Sequence, residues 1–220
     1  MTRIISIEGN IGSGKSTLVK KLKSALPEDT YYFVDEPVDI WQSIQDTSGV
    51  NIINKFYSDQ AKYAFSFQMM AYISRVSMLK QAIRENPGKI IVTERCVDTD
   101  REVFAKMLYD DGLIEEINYS IYTRWFDEFS NEISICGMVY VKTSPEVCSA
   151  RVIERARDGE TIPLSYLRKC HDYHEMWLST MGKETTIFTL DGNIDTQQTP
   201  SVHDTWVEYI GRFTMALVEV

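Results

Sequence analysis

The sequence predicts a three-layer α/β fold, in which a five-stranded parallel sheet lies between helices on both of its faces. Five short β-rich runs alternate with long helical patterns along the chain, which is typical of a parallel sheet. Several of these runs are apolar throughout, as expected for strands covered on both faces. A glycine-rich segment joins the first run to the first helical pattern, a connection that suits a ligand-binding loop.

Strand candidates and helical patterns follow one another along the chain. The strand candidates are residues 3–8, 31–36, 89–95, 138–143 and 185–191. The helical patterns cover residues 15–25, 57–86, 98–110, 113–131, 144–157, 163–181 and 203–218. The clearest helix start has Ser144 as its N-cap and Pro145 at the first helical position. No repeat or Pro/Gly-rich linker interrupts the pattern, so we expect residues 1–220 to form one domain.

The composition excludes several classes of protein. A hydrophobic fraction of 44% excludes a disordered chain, and a net charge of −9 argues against broad binding to nucleic acid or membrane surfaces. No apolar run reaches the about 18 residues that a membrane span needs. The N-terminus enters a strand pattern without a signal or transit peptide, and the four cysteines have no C-x-x-C spacing. These features predict an intracellular, cytoplasmic protein with reduced thiols.

Residues 9–16 (GNIGSGKS) fit the phosphate-binding motif G-x-x-x-x-G-K-[ST] in full. Glycines let backbone N–H groups turn around a phosphate, and the N-terminus of the next helix adds partial positive charge. Lys15 would reach the outer phosphates, and the Ser16 hydroxyl would hold Mg²⁺. We therefore expect a nucleoside triphosphate with Mg²⁺. The predicted phosphate-binding residues are Gly9, Asn10, Ile11, Gly12, Ser13, Gly14, Lys15, Ser16 and Thr17.

The motif alone does not decide how the triphosphate is used, because switches, motors and kinases share it. Residues 46–49 (DTSG) match a short GTPase pattern, but the same residues are typical of a turn. Residues 54–57 (NKFY) begin like a guanine-reading motif but have Tyr57 where an Asp is required. The GTPase interpretation is therefore the weaker one.

Charged residues follow two of the predicted strands. Glu36 comes after the second strand, before Pro37, and Glu94 with Arg95 ends the third. Ligands of open α/β sheets lie outside the carboxyl ends of the strands. A carboxylate there can orient a substrate hydroxyl and accept its proton, although an exposed turn acid would look the same in sequence.

Two helical segments carry further polar residues with helical spacing. Arg151 and Arg155 share one helix face before a Gly-containing loop, which suits either a lid over a triphosphate or a solvated basic face. Gln68 and Arg75 share a stripe with Phe67 and Ala71. This stripe could read a stacked base, or it could be the polar boundary of a buried helix.

Taken together, these segments resemble the deoxynucleoside kinase family, which includes deoxycytidine, deoxyguanosine and mitochondrial thymidine kinases. The resemblance implies a P-loop kinase fold with a lid at about 151–162. It also implies transfer of the terminal phosphate of ATP to the 5′-hydroxyl of a deoxyribonucleoside, and a homodimer. The matching segments cover most of the chain in order: residues 9–17 (GNIGSGKST), 36–41 (EPVDIW), 65–75 (FSFQ with SR), 94–101 (ERCVDTDR), 151–157 (the RxxxRxR lid) and 162–178 (IPLSYLRKCHDYHEMWL).

The resemblance also implies roles in catalysis and in donor binding. Glu36 would be the general base at the 5′-hydroxyl, and Arg95 would assist at that hydroxyl and at the phosphate. Glu94 would hold Mg²⁺ together with Ser16. The lid arginines that would clamp the donor phosphates are Arg151, Arg155 and Arg157. Residues 191–195 fall where the family senses the donor's base, with a loose match.

For the nucleoside, the resemblance implies that Gln68 would hydrogen-bond to the base. The aromatic and small residues around that base would be Phe67, Val38, Trp41, Ala71 and Phe104. Tyr57 and Glu160 would bind the 3′-hydroxyl. In the lid, the chain is one residue shorter than the family pattern.

Arg75 and Asp100 bear on the choice of substrate. Members with these charges act on deoxycytidine or purine deoxynucleosides, whereas thymidine-preferring members have apolar residues there. We therefore expect deoxycytidine, deoxyadenosine or deoxyguanosine as the substrate. The alternatives are a thymidine or broad-range pyrimidine kinase, then a nucleoside monophosphate kinase or a nucleotide switch.

His171 and His174 lie three residues apart on a predicted helix. The spacing invites a zinc interpretation, but the further ligands that zinc needs are not visible. The pattern predicts a polar helix face instead.

Overall fold

The computed structural model describes residues 3–156, 161–181, 185–196 and 198–217. Its strands form one parallel sheet with the order β2-β3-β1-β4-β5. The strands are β1 (Arg3–Glu8), β2 (Tyr31–Val34), β3 (Ile90–Glu94), β4 (Ile135–Lys142) and β5 (Thr186–Asp191). All five predicted strands are therefore present, and the phosphate loop leaves the central strand.

Helices connect the strands and cover the sheet. They are α1 (Lys15–Ala25), α2 (Val38–Ser43), α3 (Ile52–Ser58), α4 (Gln60–Glu85), α5 (Val97–Thr99), a π-helical turn (Asp100–Ala105), α6 (Lys106–Asp110), α7 (Glu116–Phe129), α8 (Pro145–Arg155), α9 (Leu164–Thr180) and α10 (Ser201–Ala216). No helix of the described ranges is both long and apolar enough to cross a membrane.

The alternation of side chains along β1 explains the three layers. Ile5 and Ile7 pack with Leu18 of α1 and Ile210 of α10 on one face of the sheet. Ile4 packs on the opposite face, in a cluster with residues of α4 and α7. Since successive strand residues point to opposite faces, a strand with apolar residues on both faces must be covered on both. The predicted three-layer α/β fold is confirmed.

β4 begins three residues earlier than predicted because Gly137 breaks its β-rich pattern. A Cβ atom on Gly137 would lie 2.4 Å from Leu217 Cδ1 and 3.1 Å from Phe213 Cζ. The glycine therefore lets the end of α10 pack directly against the strand. This close approach was not visible in the sequence.

The long helix predicted at 57–86 is two helices that meet at Asp59. The Asp59 side chain accepts a hydrogen bond from the Lys62 backbone N–H at 3.1 Å, and this N-cap starts α4. The short helices α2 and α3 were not predicted, because six and seven residues are too few to establish a helical period. Residues 46–49 form the predicted turn, in which Gly49 N–H donates to the Asp46 carbonyl at 3.0 Å.

The predicted helix at 98–110 contains a π-helical turn over Asp100–Ala105. Such a turn inserts an extra residue into the helical repeat and changes the direction of the side chains that follow, often at functional sites. In this chain, the turn includes Asp100 and Phe104, two of the predicted substrate-binding residues.

Candidate active site

A cavity of about 920 Å³ lies at the carboxyl ends of the strands. The phosphate loop forms its middle, α2 to α4 and the π-helical turn form one end, and α8 with α10 forms the other. In the sheet order, the segments after β2 and β3 lie on one side of β1, and the segments after β4 and β5 lie on the other. The cavity therefore spans the point where the connections diverge, the usual ligand site of such a sheet.

The phosphate loop is held tightly against its neighbours. Gly12 has φ 78°, and a Cβ there would lie 2.5 Å from the carbonyl oxygen of Cys148. The Asn10 side chain donates a hydrogen bond to the Leu167 carbonyl of α9 at 2.8 Å. Lys15 Nζ donates to the Asn10 carbonyl, also at 2.8 Å, so the lysine folds back over its own loop. The loop is thus preformed around a site for a phosphate.

Lys15 is an unusually acidic lysine. Its burial lowers the pKa to about 8, and the neighbouring Arg95 guanidinium adds to that effect while nearby carboxylates oppose it. An anionic ligand beside Lys15 would favour the charged ammonium. The electrostatics around Lys15 therefore favour the binding of an anionic ligand.

Ser16 and Glu94 come together at the end of the phosphate loop. The Ser16 hydroxyl donates to Glu94 Oε1 at 2.7 Å, and Glu94 is buried. In the described ranges, no group of three or more His, Cys, Asp or Glu side chains could hold a metal ion. A hydroxyl and one carboxylate suit Mg²⁺, which usually keeps several waters and takes phosphate oxygens as its other ligands.

Glu36 lies against two arginines. Its Oε1 accepts a short hydrogen bond from Arg95 Nη1 and is 3.7 Å from Arg75 Nη2. Burial would raise the pKa of Glu36, but Arg95, Arg75 and Lys15 outweigh it and lower the pKa to about 2. Glu36 is therefore ionised throughout the neutral range.

Arg95 adopts a backbone conformation that is rare for a side chain of its size, with φ 63°. Its N–H still donates to the Ile7 carbonyl of β1 at 3.0 Å, as if the strand continued. The guanidinium lies 5.1 Å from the centroid of the Phe104 ring. Strain of this kind persists where the surrounding structure enforces it, often at functional sites.

Arg75 and Asp100 form a buried ion pair. Arg75 Nε is 2.8 Å from Asp100 Oδ2, and Arg75 Nη1 donates to the Glu94 carbonyl at 2.6 Å. Asp100 lines the cavity, whereas Arg75 lies behind it and does not. Burial raises the pKa of Asp100, although the Arg75 guanidinium opposes this effect. Arg75 therefore acts on the cavity through the carboxylates that it holds.

Aromatic rings and one amide form the walls next to Asp100. Phe67 stacks on Phe56 with ring centroids 4.7 Å apart, and Trp41 meets Phe67 edge-on at 5.6 Å. One face of Phe67 is therefore already covered by a ring. Gln68 is 2% exposed, and its amide makes no hydrogen bond within the described residues. An amide so placed at a cavity wall is available to a ligand.

The remaining predicted residues lie in or near the same cavity. Val38, Tyr57, Ala71, Phe104, Arg151 and Arg155 line it. Arg151 donates to three backbone carbonyls, those of Ser13, Gly192 and Ile194, at 3.2, 2.8 and 3.2 Å. Arg157 and Glu160 lie outside the described residues.

The sequence reasoning missed several residues that line the cavity: Ile53, Asn54, Tyr166, His203 and Trp206. Tyr166 meets Tyr57 edge-on at 6.5 Å. Tyr166 lies within residues 162–178, one of the segments that resemble the family. That resemblance could have identified it as a residue of the site. No comparable signal marked His203 and Trp206.

The predicted polar face around His174 is wrong. His174 is fully buried, with Tyr140 stacked at 6.3 Å and Phe104 edge-on at 6.2 Å. Its Nδ1 lies 2.6 Å from the Cys170 carbonyl. Burial lowers the pKa of His174 to about 3, so the ring is neutral. Arg101, at the end of the segment 94–101, pairs with Glu102 at 2.7 Å and lies 3.9 Å from the Phe126 ring centroid.

A phosphate loop that shares one cavity with a buried carboxylate–arginine pair and an aromatic pocket defines a small-molecule phosphotransferase. Comparison with known proteins agrees, because residues 5–214 match the deoxynucleoside kinase family. The chain belongs to the deoxynucleoside kinase family, and it is an ATP-dependent kinase of deoxynucleosides.

Named relatives extend over most of the chain. A probable deoxycytidine kinase of fowlpox virus is 40% identical over 179 residues, which cover 80% of this chain and 71% of that protein. Deoxycytidine kinase of Rattus norvegicus is 36% identical over 225 residues, or 88% and 86% of the two chains. The mitochondrial deoxyguanosine kinase of Xenopus laevis is 34% identical over 201 residues, or 83% and 74%.

Proposed function

We propose that this kinase phosphorylates the 5′-hydroxyl of deoxycytidine or of a purine deoxynucleoside, deoxyadenosine or deoxyguanosine. The observation that carries the proposal is the Asp100 carboxylate, which Arg75 holds at the cavity wall near the Gln68 amide. A carboxylate accepts hydrogen bonds from amino groups. Cytosine and adenine present an amino group on the major-groove edge and guanine presents one on the minor-groove edge, whereas thymine has no amino group and presents carbonyl oxygens and a methyl group. The names of the fowlpox virus, rat and Xenopus relatives support the same substrates.

In the proposed reaction, Glu36 accepts a hydrogen bond from the 5′-hydroxyl and takes its proton as that oxygen bonds to the γ-phosphorus of ATP. The bond between the γ-phosphorus and the β–γ bridging oxygen breaks at the same time, and ADP leaves. A carboxylate with a pKa of about 2 is a weak base. Since the transition state of phosphoryl transfer is loose in most analyses, Glu36 mainly needs to orient the hydroxyl. Arg95, which already contacts Glu36, stabilises the negative charge of the transferring phosphoryl group.

The donor triphosphate binds to the phosphate loop. Backbone N–H groups of residues 9–17 and the Lys15 ammonium hold its phosphates, and Arg151, Arg155 and Arg157 close over them from the lid at about 151–162. Ser16 and Glu94 hold the Mg²⁺ that accompanies the triphosphate. When bound, this ion neutralises part of the phosphate charge.

The deoxyribose binds between the aromatic wall and the lid. Tyr57 and Glu160 bind its 3′-hydroxyl, which a nucleotide kinase would not need to recognise in this way. The base stacks on the uncovered side of Phe67, and Phe104, Val38, Trp41 and Ala71 form the rest of its pocket.

The chain works as one domain, residues 1–220, and as a homodimer. The support for a dimer is an exposed apolar face on α4 and α7, formed by Ile73, Ile117, Ile121, Trp125 and Phe129. Exposed patches of this kind often mark interfaces. A cytoplasmic location is proposed because all four cysteines are free thiols, which suits a reducing compartment. We propose neither nucleic acid nor a membrane as a partner.

The test is a comparison of the four natural deoxynucleosides at one concentration, with ATP and Mg²⁺. We expect the highest kcat/KM for deoxycytidine or a purine deoxynucleoside, and a value for thymidine at least about tenfold lower. A preference for thymidine would contradict the proposal and favour the alternative, a thymidine or broad-range pyrimidine kinase.

A further inference from the structure

At the end of the cavity near β5, residues 191–195 fall where the family senses the donor's base, but the neighbouring residues of α10 have no role in the reaction as described above. The walls of this end include Thr17 and Lys20 of α1, the turn 192–196 after β5, and His203 and Trp206 in the first turns of α10. β5 is the sheet edge opposite β2, the strand that precedes Glu36. With about 4.8 Å between neighbouring strands, this turn lies roughly 10 Å from the central strand on the side away from the acceptor.

His203 is a buried polar side chain without a protein partner. It is 7% exposed, and neither ring nitrogen makes a hydrogen bond to any of the residues that the structure describes. Both ring nitrogens of His203 keep some accessible surface. The side-chain atoms of the described residues that are fully inaccessible and have no hydrogen bond belong to other residues. Buried polar groups are nearly always hydrogen-bonded, so an imidazole in this position is available to a ligand.

The imidazole is held in a fixed orientation. Trp206 meets it edge-on, with ring centroids 5.8 Å apart and an angle of 81° between the planes. Trp206 in turn belongs to the core cluster that includes Leu18, Leu22 and Ile210. Because this cluster joins α10 to the helix that follows the phosphate loop, His203 keeps a fixed place relative to the loop.

The chemistry of the site favours an uncharged ligand group over a phosphate. Burial lowers the pKa of His203, and the nearby Lys21 ammonium contributes in the same direction. A neutral imidazole presents one donor and one acceptor, which suits the edge of a nucleobase. The phosphates have their own cationic groups at Lys15 and Arg151.

We propose that His203, supported by Trp206, is a specificity-determining residue for the nucleobase of the donor triphosphate. This inference rests on the proposed binding of the donor phosphates at residues 9–17. With the phosphates there and the acceptor at Glu36, the ribose and base extend towards β5 and meet His203 at the wall of the cavity.

The test measures how the whole protein binds two probes, Mg²⁺-ATP and Mg²⁺-tripolyphosphate, by calorimetry. Tripolyphosphate retains the phosphates but lacks the ribose and the base. We expect His203→Ala to weaken ATP binding about 3- to 10-fold, the range for one lost hydrogen bond, and to leave tripolyphosphate binding within twofold. His203→Gln keeps a donor and an acceptor and should retain part of the affinity. His171→Ala, a histidine of α9 away from the cavity, is the matched control and should change neither.

Steady-state kinetics provides a second readout. His203→Ala should raise the KM for ATP by the same factor and leave the KM for the nucleoside unchanged. It should also reduce the differences in kcat/KM among ATP, GTP, CTP and UTP. Unchanged ATP affinity, or equal weakening of ATP and tripolyphosphate, would overturn the proposal. The calorimetry uses no nucleoside, so an error in the proposed acceptor cannot produce or hide the result.

Discussion

The two ends of the cavity differ in how their polar groups are satisfied. At the acceptor end, the charged side chains of Glu36, Arg75, Arg95 and Asp100 each contact an opposite charge within the protein, and the uncharged Gln68 amide is open to a ligand. At the donor end, Arg151 binds backbone carbonyls and His203 has no hydrogen-bond partner among the described residues. Ion pairs within the protein fix the positions of side chains before a substrate binds. A ring nitrogen without a hydrogen-bond partner in the protein can form its hydrogen bond with the ligand. The comparison suggests strict selection of the acceptor and a tunable choice of donor.

The largest effect is expected at Glu36. Glu36→Gln removes the proton acceptor but keeps the shape and one hydrogen-bond acceptor, so kcat should fall about 10²- to 10⁴-fold. The KM for the nucleoside should change only a few-fold. Steady-state kinetics with a saturating donor provides the measurement.

Asp35→Asn is the matched control for Glu36→Gln. Asp35 is the neighbouring carboxylate, largely exposed and 3.6 Å from Lys23, and its loss should leave kcat unchanged. An unaltered kcat in Glu36→Gln would show that Glu36 is not the proton acceptor. The ion pairs at the acceptor end would then not be evidence that this end is preorganised for the reaction.

The second effect concerns the acceptor's base. Arg75→Met with Asp100→Ala replaces the ion pair by apolar side chains and makes room for a methyl group. The ratio of kcat/KM for thymidine to that for deoxycytidine should rise at least about tenfold. If the ratio stays constant, base selection does not depend on this pair. Arg84→Met with Glu85→Ala, an exposed pair on the same helix, is the control.

The same pair makes a prediction about stability. Asp100→Ala alone leaves the buried Arg75 without its closest carboxylate, and should lower the free energy of unfolding by about 3–5 kcal/mol. The double variant removes both charges and should be more stable than Asp100→Ala. Urea denaturation of the three proteins tests this order.

A smaller effect is expected from pH at the phosphate loop, where the two ends meet. Burial lowers the pKa of Lys15 to about 8, so the ammonium is present below that pH and is lost above it. The kcat/KM for ATP should therefore fall up to about tenfold per pH unit above pH 8. Lys15→Arg keeps its charge and should remove this fall. If kcat/KM for ATP still falls above pH 8 in Lys15→Arg, a group other than Lys15 causes the pH dependence.

The smallest effect is expected just outside the acceptor end. Arg101 is close in sequence to Asp100 but pairs with Glu102 and lies over the Phe126 ring. Arg101→Gln should lower the free energy of unfolding by about 1 kcal/mol and leave kcat/KM within twofold. A large loss of activity would mean that the charged network of the acceptor end extends further than its contacts indicate.

The fold could be predicted largely because apolar strands and capped helices are local patterns. All five strands were found, and their ends differ by no more than three residues. The short helices α2 and α3 and the π-helical turn were missed, since none has a period that side-chain polarity can reveal. Gly137 interrupted a strand for a reason that only the packing of α10 explains.

The residues of the candidate site also include some that the sequence predicted and some that it did not. The phosphate loop is contiguous in sequence, and the acceptor residues lie in segments that carried the family resemblance. His203 follows no motif, and it reaches the cavity only because α10 packs on α1. For His174, the sequence predicted a polar helix face because its neighbours in sequence are polar. The structure instead buries the ring in the core.

The left-handed backbone at Arg95 has a consequence for the evolution and engineering of this chain. A φ of 63° favours glycine over any residue with a side chain, at a cost on the order of 1 kcal/mol or more. Selection for stability alone would therefore favour a glycine here, whereas selection for turnover retains the guanidinium. Residue 95 is thus a position where thermostability and activity oppose each other, and a consensus or stability-guided redesign should leave it unchanged.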